Sequence, residues 1–399
     1  CADGMPGTRD AAGGAAPVTV GIVAGEASGD ALAATLIAAV RERLPQVRFV
    51  GIAGPKMAAA GCDVWVPAEK LAVRGFVEVL RHLPGLVSIR RGLAARLVAE
   101  RVPLFIGVDA PDFNLGLERK LKSRGVRTIH FVSPSVWAWR RERLKTIGRA
   151  VDRMLALFPF EPALYEAEGI PVTYVGHPMA AHAASDWSRR TMRERLHLGL
   201  STPVFALLPG SRLSELEMHS ALVIGAAKRI AKARPDARFL VPLVSRATRE
   251  AFEQALWREG ADASSFTLLY GHANDALKAA DIGLVASGTA TLEAALARCP
   301  QVVFYRVAPL TAHIVGRKLL VPWVGLPNVL AGRFVVPELI QEDATPENLA
   351  QAALNLFDDT VTRHALERLF AGFARALSAD TGALAADAVA HELALSSAR

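Results

Sequence analysis

Short apolar runs alternate with amphipathic stretches along the first half of the chain. The first run, Val18–Ala24, is apolar except for Thr19, which is typical of a strand buried on both faces of a sheet. The stretch after it predicts a helix, because apolar residues recur there at helical spacing: Leu32, Leu36, Ile37, Val40 and Leu44. Further strands are predicted at 48–52, 104–108, 128–132, 154–158 and 172–175. Helices are predicted between the strands, near 69–83, 85–101, 114–124, 140–148 and 161–167.

The alternation restarts in the second half, after a stretch rich in alanine, histidine and serine at 180–188 that we interpret as a linker. Strands are predicted at 204–208, 238–242, 267–269, 282–285 and 302–305, with helices such as 215–233 and 289–298 between them. From Pro346 onward only helix is predicted. Such alternation favours parallel, doubly wound sheets, so we expect an α/β protein with two Rossmann-like domains that face a cleft.

The composition is that of a globular protein, with 51% hydrophobic and 21% charged residues in a chain of 399. The formal net charge of +7 is compatible with nucleic acid, anionic lipid or phosphorylated substrates and does not choose among them. Three scattered cysteines, Cys1, Cys62 and Cys299, exclude a disulfide scaffold and favour a reducing compartment. No apolar stretch is long enough for a transmembrane helix, and 1–16 lacks the core of a signal peptide. We therefore expect a soluble or peripheral protein of the cytoplasm, with a disordered tail at 1–16.

In open α/β sheets, ligands bind at the carboxyl ends of the strands, so the residues that follow each strand are the candidates for chemistry. The first strand is followed by two glycines and two carboxylates within six residues, and a pair of carboxylates would repel a diphosphate. The candidate substrate-binding residues there are Gly25, Glu26, Ser28, Gly29 and Asp30. The alternative is a tight turn in which Ser28 or Asp30 caps a helix.

The strand at 204–208 is followed by a Gly-Ser turn and an arginine. Ser214 and Glu217 have the spacing of a capping box, which predicts that a helix begins there. Such a turn would direct backbone N–H groups and the Arg212 guanidinium at an anion, so Ser211 and Arg212 are candidate phosphate contacts. An ordinary capped turn with a solvated arginine is the alternative.

The strand at 282–285 is followed by a glycine and three hydroxyl residues at a predicted helix start. Unpaired N–H groups and the positive end of the helix dipole would make this a diphosphate cradle. Its candidate contacts are Ser287, Gly288, Thr289, Ala290 and Thr291. Glu293, one turn into the helix, is a candidate for a ribose diol, and a surface glutamate is the alternative.

Asp109 directly follows the strand at 104–108, where a carboxylate facing the cleft is a candidate general base. The alternative is a structural aspartate satisfied by backbone amides. Trp137 and Trp139, close to Arg140, could form a lipid or sugar platform or could pack between helices. A role for His177 in binding or in structure stays open.

No D-x-D motif occurs, and no cluster of histidine, cysteine and aspartate has the spacing of metal ligands. We therefore expect no metal and no cofactor. The positive charge that a leaving diphosphate needs would come from Arg212 and from helix N-termini.

Six motifs in this order resemble those of the lipid-A-disaccharide synthase family, over about 18–390. They are GEASGD at 25–30, DAPDFN at 109–114, SPSVWAWR at 133–140, LPGSR at 208–212, ASGTATLE at 286–293 and GLPN at 325–328. Each motif alone is modest, but six in order at matching spacing are very specific.

The resemblance implies an inverting glycosyltransferase of GT-B architecture. It would join UDP-2,3-diacylglucosamine to 2,3-diacylglucosamine 1-phosphate through a β(1→6) bond and release UDP, in the lipid A biosynthesis of Gram-negative bacteria. By motif, Asp109 would activate the acceptor 6-hydroxyl, Arg212 would contact the diphosphate, and Glu293 would contact the ribose. Asn328 matches a further polar position whose role stays open.

The resemblance also implies a division of the chain. The acceptor would bind at 17–184 and the UDP-sugar at 185–370, while a C-terminal helix at 371–399 would pack on the first domain. The implied partners are the two substrates and the inner face of the inner membrane, without nucleic acid. Formation of a homodimer is left open.

Two other functions stay open at this point. A related GT-B enzyme, such as a UDP-sugar epimerase, would use the same donor cradle without an acyl acceptor. A non-catalytic lipid-binding protein would need only a basic, apolar surface. The segment at 73–97 is a candidate interfacial contact of the enzyme with the membrane, because arginines interleave with its apolar residues, and 84–85 should divide it into two short helices. Alternatively, these apolar residues pack on the sheet.

Overall fold

The computed structural model describes residues 17–71, 76–137, 141–183, 188–307 and 322–398, with side chains described except at 76–83 and 182–183. The predicted tail at 1–16 and residues Trp139 and Arg140 lie outside the described residues. Within the described chain, strands and helices alternate as the apolar pattern predicts, and the strands form two parallel sheets.

The first sheet has seven strands: β1 (Val18–Ala24), β2 (Val47–Ala53), β3 (Cys62–Pro67), β4 (Leu104–Val108), β5 (Arg127–Phe131), β6 (Arg153–Ala156) and β7 (Val172–Tyr174). Their spatial order is β3-β2-β1-β4-β5-β6-β7, with parallel pairing throughout. All five residues of β4 are buried, as expected for a strand covered on both faces. The order reverses direction between β1 and β4, which makes that gap the switch point of this sheet.

The second sheet has six strands: β8 (Val204–Leu208), β9 (Arg238–Leu243), β10 (Phe266–Tyr270), β11 (Ile282–Ala286), β12 (Gln301–Tyr305) and β13 (Glu338–Ile340). Their order is β10-β9-β8-β11-β12-β13, again parallel throughout. The order reverses between β8 and β11. The two sheets confirm the predicted fold class, an α/β protein with two Rossmann-like halves.

Helices cover both sheets. Those of the first half are α1 (Ala27–Arg43), α2 (Pro55–Ala59), α3 (Phe76–Ala99), α4 (Pro111–Lys122), α5 (Arg143–Ala150), α6 (Glu161–Glu166) and α7 (Pro178–Ala183). Those that follow are α8 (Arg189–Arg195), α9 (Leu213–Ala233), α10 (Arg246–Arg258), α11 (Ala273–Ala279), α12 (Thr289–Leu296), α13 (Leu326–Ala331), α14 (Pro346–Asp358), α15 (Thr360–Leu377) and α16 (Thr381–Ser397). No described helix is both long and apolar enough to cross a membrane.

The C-terminal helices return to the first half, as the resemblance implied. Residues Ala385 and Val389 of α16 are buried in the same apolar cluster as β1 and α1. The carboxylate of Glu392, 1% exposed, accepts hydrogen bonds from Arg127 and Arg153, at the starts of β5 and β6. Arg127 and Arg153 thereby neutralise a buried charge, and α16 is fixed across the first sheet.

Several details differ from the sequence predictions. The pair at 84–85 does not divide a helix, because α3 runs unbroken from Phe76 to Ala99 with Pro84 inside it. Pro84 and Gly85 are exposed, and the helix continues past them with the loss of the one hydrogen bond that Pro84 cannot donate. The stretch interpreted as a linker begins inside α7, and the predicted boundary at 370 falls inside α15. Several short elements were not predicted, among them α2, which has only five residues, and two edge strands. Of these strands, β3 contains Asp63 and Pro67, and β13 has only three residues.

Candidate active site

The candidate motifs gather at the two switch points. The turn at 25–30 and Asp109 follow β1 and β4, which are neighbours in the first sheet. The turn at 209–212 and the segment from Ser287 follow β8 and β11, which are neighbours in the second. Crevices outside the carboxyl ends of strands at a switch point are where ligands bind in such sheets. The candidate residues that follow β1, β4, β8 and β11 therefore lie at the carboxyl ends of the strands beside the two switch points.

A shared apolar cluster joins the two carboxyl edges. Leu292 and Leu296 of α12 pack with Ala180 of α7 and with Leu377 of α15, and Phe158, just beyond β6, packs against the same cluster. The helix that begins at the second-half cradle therefore lies directly against the edge of the first half.

The first turn splits into an open part and a structural part. Glu26 and Ser28 are exposed at the start of α1, whereas Gly25 and Gly29 are buried. A Cβ on Gly29 would lie 3.8 Å from the Asp109 Cβ, and one on Gly25 would lie 3.3 Å from the Ala110 Cβ. This turn and the Asp109 turn are thus in direct contact, and both border one crevice.

Asp30 has a structural role in these contacts. Its carboxylate is 4% exposed and accepts the backbone N–H groups of Gly54, Lys56 and Met57 at 3.0, 3.0 and 3.1 Å. Asp30 therefore caps α2, a helix that the sequence pattern did not predict, and its carboxylate is engaged in the fold rather than offered to a substrate. The alternative that Asp30 caps a helix is therefore correct, although the helix that it caps is α2 and not α1, which contains Asp30.

Asp109 combines backbone strain with an unused carboxylate. Asp109 and Ala110 have φ of 52° and 43°, the left-handed region, which costs a non-glycine residue roughly 1–3 kcal/mol. The Asp109 N–H donates to the Phe131 carbonyl at 2.8 Å, and its own carbonyl accepts from Asn114 Nδ2 at 2.8 Å. Within the described residues its side chain accepts no hydrogen bond, so the structural alternative of an aspartate satisfied by amides does not apply. Strain of this kind is concentrated at functional sites.

The Arg212 turn is capped differently from the prediction. Helix α9 begins at Leu213 with Arg212 as its N-cap, and Glu215 accepts the backbone N–H groups of Ser211 and Arg212 at 2.9 and 3.2 Å. The predicted pairing of Ser214 with Glu217 is wrong, since the helix starts two residues earlier than that pairing requires. Because Glu215 occupies both amides, the charge that this turn offers to an anion is the exposed Arg212 guanidinium.

The second-half cradle is open at its glycine. Gly288 is the N-cap of α12 with φ of 139°, and a Cβ there would meet nothing within 4 Å. Thr289 is exposed beside it, and Ala290 is half-buried. An anion can therefore approach the backbone at the positive end of α12.

Two hydroxyls of the cradle are already engaged. Ser287 Oγ donates to the Val324 carbonyl at 3.0 Å. Thr291, fully buried, donates to the Gly288 carbonyl at 2.8 Å and accepts the Leu326 N–H at 3.1 Å. These bonds hold the start of α12 against α13. One turn into α12, partial burial raises the pKa of Glu293.

Asn328 is a structural residue. It is fully buried, its Nδ2 donates to Val336 O and Glu338 Oε1, and its Oδ1 accepts the N–H groups of Val335 and Val336. Because the Asn328 amide donates two hydrogen bonds and accepts two within the protein, we assign Asn328 a structural role, which is to support α13. Glu338, which also accepts the N–H groups of Val324 and Gly325 at 2.9 Å each, completes this support.

The aromatic side chains near β6 pack against one another and do not form an open platform. Trp137 contacts Phe160 edge-on, Phe160 stacks on Phe158, and Phe158 lies 5.5 Å from the His177 ring. Burial lowers the pKa of His177 to about 4, so its ring is neutral at pH 7. The backbone N–H of His177 donates to the Leu377 carbonyl at 2.9 Å. This favours the structural interpretation of His177, at the contact between the first half and α15.

Sequence reasoning missed several polar residues that shape the site. Glu215 and Glu338 were not singled out, and neither was Glu161, 1% exposed, which accepts the N–H groups of Leu157 and Phe158 at 3.1 and 3.0 Å. Burial raises the pKa of Glu161 to about 7, against the opposing effect of these backbone N–H groups. Glu161 and Glu215 each begin a predicted helix, which was a partial signal, whereas Glu338 begins β13, a strand that the sequence pattern did not predict. In the described residues no cluster of histidine, cysteine, aspartate and glutamate could hold a metal ion.

Comparison with known proteins gives one consistent result. Residues 20–389 match the family described as lipid-A-disaccharide synthetase. The lipid-A-disaccharide synthase of Dechloromonas aromatica is 53% identical over 373 residues, covering 93% of this chain and 98% of that protein. The lipid-A-disaccharide synthase of Burkholderia mallei is 47% identical over 376 residues, covering 94% and 96%.

Solved structures support the fold. A UDP-N-acetylglucosamine 2-epimerase from Listeria monocytogenes, described as putative, superposes with a TM-score of 0.60 at 13% identity, covering 94% of this chain and 95% of that one. MurG from Acinetobacter baumannii superposes with a TM-score of 0.55 at 12% identity, covering 94% and 100%. At such low identity these likenesses show the architecture alone.

Proposed function

The chain belongs to the lipid-A-disaccharide synthetase family, and from that premise we propose how its two switch points carry out the reaction. It is a glycosyltransferase of the GT-B architecture that forms the lipid A disaccharide. The proposed donor is UDP-2,3-diacylglucosamine and the proposed acceptor is 2,3-diacylglucosamine 1-phosphate. Incubation with both substrates tests this reaction, because only transfer yields UDP together with a disaccharide phosphate.

Asp109 is the proposed general base. Its carboxylate takes the proton of the acceptor 6-hydroxyl while that oxygen attacks the donor anomeric carbon and the bond to UDP breaks. Attack opposite the leaving group inverts the anomeric centre and gives the β(1→6) bond. The observation that carries the proposal is the strained turn at the first switch point, where the Asp109 carboxylate accepts no hydrogen bond from the part of the chain that the structure describes.

Arg212 and the start of α12 are the proposed diphosphate site. The guanidinium is exposed and Gly288 leaves its backbone open, so both can face the leaving UDP, whose negative charge grows in the transition state. Glu293, one turn further into α12, is the proposed ribose contact. Glu26, Ser28 and the glycines of the first turn border the acceptor side of the crevice. This assignment needs no metal to balance the diphosphate charge.

The two substrates are assigned to different halves of the chain, one to each sheet. We assign the acceptor to 17–184, the UDP-sugar to 185–370 and the return to the first half to 371–399. The strands of the first sheet all lie before residue 175 and those of the second between 204 and 340, which supports this division. Since α15 spans the last boundary, the return begins within that helix.

Contact with the inner face of the inner membrane is the last part of the proposal. The second half of α3 is not available for it, because Leu93, Ala94 and Leu97 are buried against the sheet and Arg96 lies 3.7 Å from the ring centroid of Trp65. The apolar residues of 76–83, whose side chains lie outside the described residues, are therefore the proposed contact, together with the arginines around them.

Replacement of Phe76, Leu80 and Leu83 by serine should weaken binding to anionic vesicles at least tenfold. Full burial of one such side chain is worth about 1.5–3 kcal/mol of binding free energy. Three partly inserted side chains together should therefore contribute more than a factor of ten in affinity. Co-sedimentation with vesicles, at low and high salt, measures the change, since salt should weaken the electrostatic part. The control is Leu93→Ser, which should destabilise the core instead. Unfolding of the triple variant, seen by circular dichroism, would place these residues in the core.

A further inference from the structure

A buried polar layer lies between α4 and the strands that lead to Asp109. Asn114 and Glu118, one turn apart on α4, and His130 on β5 are all 0% exposed. His130 is the register partner of Gly107 on β4. A Cβ on Gly107 would lie 2.1 Å from Glu118 Oε1 and 2.9 Å from Asn114 Cβ, so the glycine makes the room that both side chains occupy.

Asn114 ties this layer to the base. Its Nδ2 donates to the Asp109 carbonyl at 2.8 Å and to the Val108 carbonyl at 3.4 Å. In the described chain it is the one side chain that hydrogen-bonds the backbone of Asp109; the other tie is the Asp109 N–H to Phe131 O. Because Asp109 and Ala110 are both left-handed, their conformation persists only where the surroundings impose it.

The pair behind Asn114 is an unusual way to dock a helix. Glu118 Oε1 and His130 Nδ1 are 2.7 Å apart. Burial raises the pKa of Glu118, and the neighbouring His130 opposes that shift. Three polar atoms of the layer, Asn114 Oδ1, Glu118 Oε2 and His130 Nε2, have no protein hydrogen-bond partner among the described residues. Leu117 and Leu121 already pack α4 into the core, and apolar residues at both 118 and 130 would avoid the desolvation cost of the pair.

We propose that Asn114 is a positioning residue for Asp109, and that the Glu118–His130 hydrogen bond, which joins α4 to β5 beside Asn114, holds α4 where the Asn114 amide reaches the Asp109 carbonyl. The proposal rests on the assignment of Asp109 as the base. Catalytic groups must be held closely, since a displacement of about 1 Å costs on the order of 10²-fold in rate. A polar layer that orients one backbone carbonyl supplies that restraint without touching substrate.

Asn114→Ala should lower kcat about 10- to 100-fold and leave KM for both substrates nearly unchanged, because the carboxylate is displaced while the binding surfaces stay. Ala110→Gly in the same chain should restore much of the lost kcat. Glycine adopts φ near 43° without strain, so the turn then needs less support from Asn114. A residue that merely stabilises the fold would not be rescued in this way.

Substitutions of Glu118 that keep or remove its polar group test the role of the Glu118–His130 pair. Glu118→Gln keeps a polar partner for His130 and should stay close to the wild-type kcat, whereas Glu118→Leu should lose kcat as Asn114→Ala does. The matched control is Leu121→Ala, a cavity on the same helix, which should lower the thermal midpoint without a matching loss of kcat.

The outcomes separate this proposal from the one on which it rests. If Asp109→Asn is inactive while Asn114→Ala turns over normally, or while Ala110→Gly restores nothing, the positioning role is overturned and the base stands. Near-normal turnover of Asp109→Asn would overturn the base and the positioning role together. Loss of kcat in Asn114→Ala with rescue by Ala110→Gly, and no further loss in the Asp109→Asn background, is the expected result.

Discussion

Asp109→Asn should lower turnover by about 10²–10⁴-fold, the usual worth of a positioned general base, and leave UDP binding unchanged. The amide has the size of the carboxylate but cannot take the proton of the acceptor hydroxyl. Asparagine also tolerates the left-handed conformation that residue 109 adopts, so the turn should survive the change. Steady-state kinetics and titration with UDP measure the two effects separately.

Near-normal turnover in Asp109→Asn would remove Asp109 from the mechanism. Glu26 would then be the next candidate, since it is exposed at the same crevice. Asp30 is a weaker substitute, because its carboxylate is committed to three backbone N–H groups of α2. Glu26→Gln would distinguish these cases.

Arg212→Ala should lower kcat by about 10²–10³-fold, in the range seen when one donor to a developing charge is removed. The guanidinium has no ion-pair partner within the described residues, and the capping of α9 depends on Glu215 and backbone amides. The variant should therefore keep its thermal midpoint while it loses turnover. Interactions that strengthen as the leaving group gains charge act on kcat more than on ground-state binding.

Two further variants serve as controls for Arg212→Ala. Arg212→Lys keeps the charge and should retain part of the activity. Arg246→Ala, which removes an exposed arginine paired with Glu250 on α10, should leave turnover unchanged. A loss of stability as large as the loss of turnover in Arg212→Ala would mean that the arginine supports the fold of its loop rather than the reaction.

The apolar pattern predicted the fold because a strand that is buried on both faces is a continuous run of apolar residues in the sequence. The strands at 104–108 and 204–208 agree with β4 and β8 to the residue. Positions of elements followed from this pattern, and so did the placement of the candidate motifs at the carboxyl edges. Since α2 is a single turn and β3 a mixed edge strand, neither gives a periodic signal long enough to recognise.

The sequence predicted which strand ends carry the candidate residues but not the contacts that each residue makes. Asp30 reaches amides 24 to 27 residues away, and Asn328 reaches residues on the far side of a loop, so sequence spacing carries no sign of either contact. Likewise, Glu215 rather than Glu217 caps the Arg212 turn because helix α9 starts earlier than its polar pattern indicates. The strained backbone at Asp109 is a feature that only the fold reveals.

The most direct test of the central claim is product analysis with both diacylglucosamine substrates in the presence of excess EDTA. The account predicts equal amounts of UDP and of a β(1→6)-linked disaccharide phosphate, with neither formed when the acceptor is left out. Because Arg212 and the start of α12 are proposed to balance the charge of the leaving group, chelation should leave the rate unchanged. Hydrolysis or epimerisation of the UDP-sugar without acceptor, with no disaccharide formed, would contradict the account, and a rate that collapses in EDTA and returns with magnesium would contradict its metal-free chemistry.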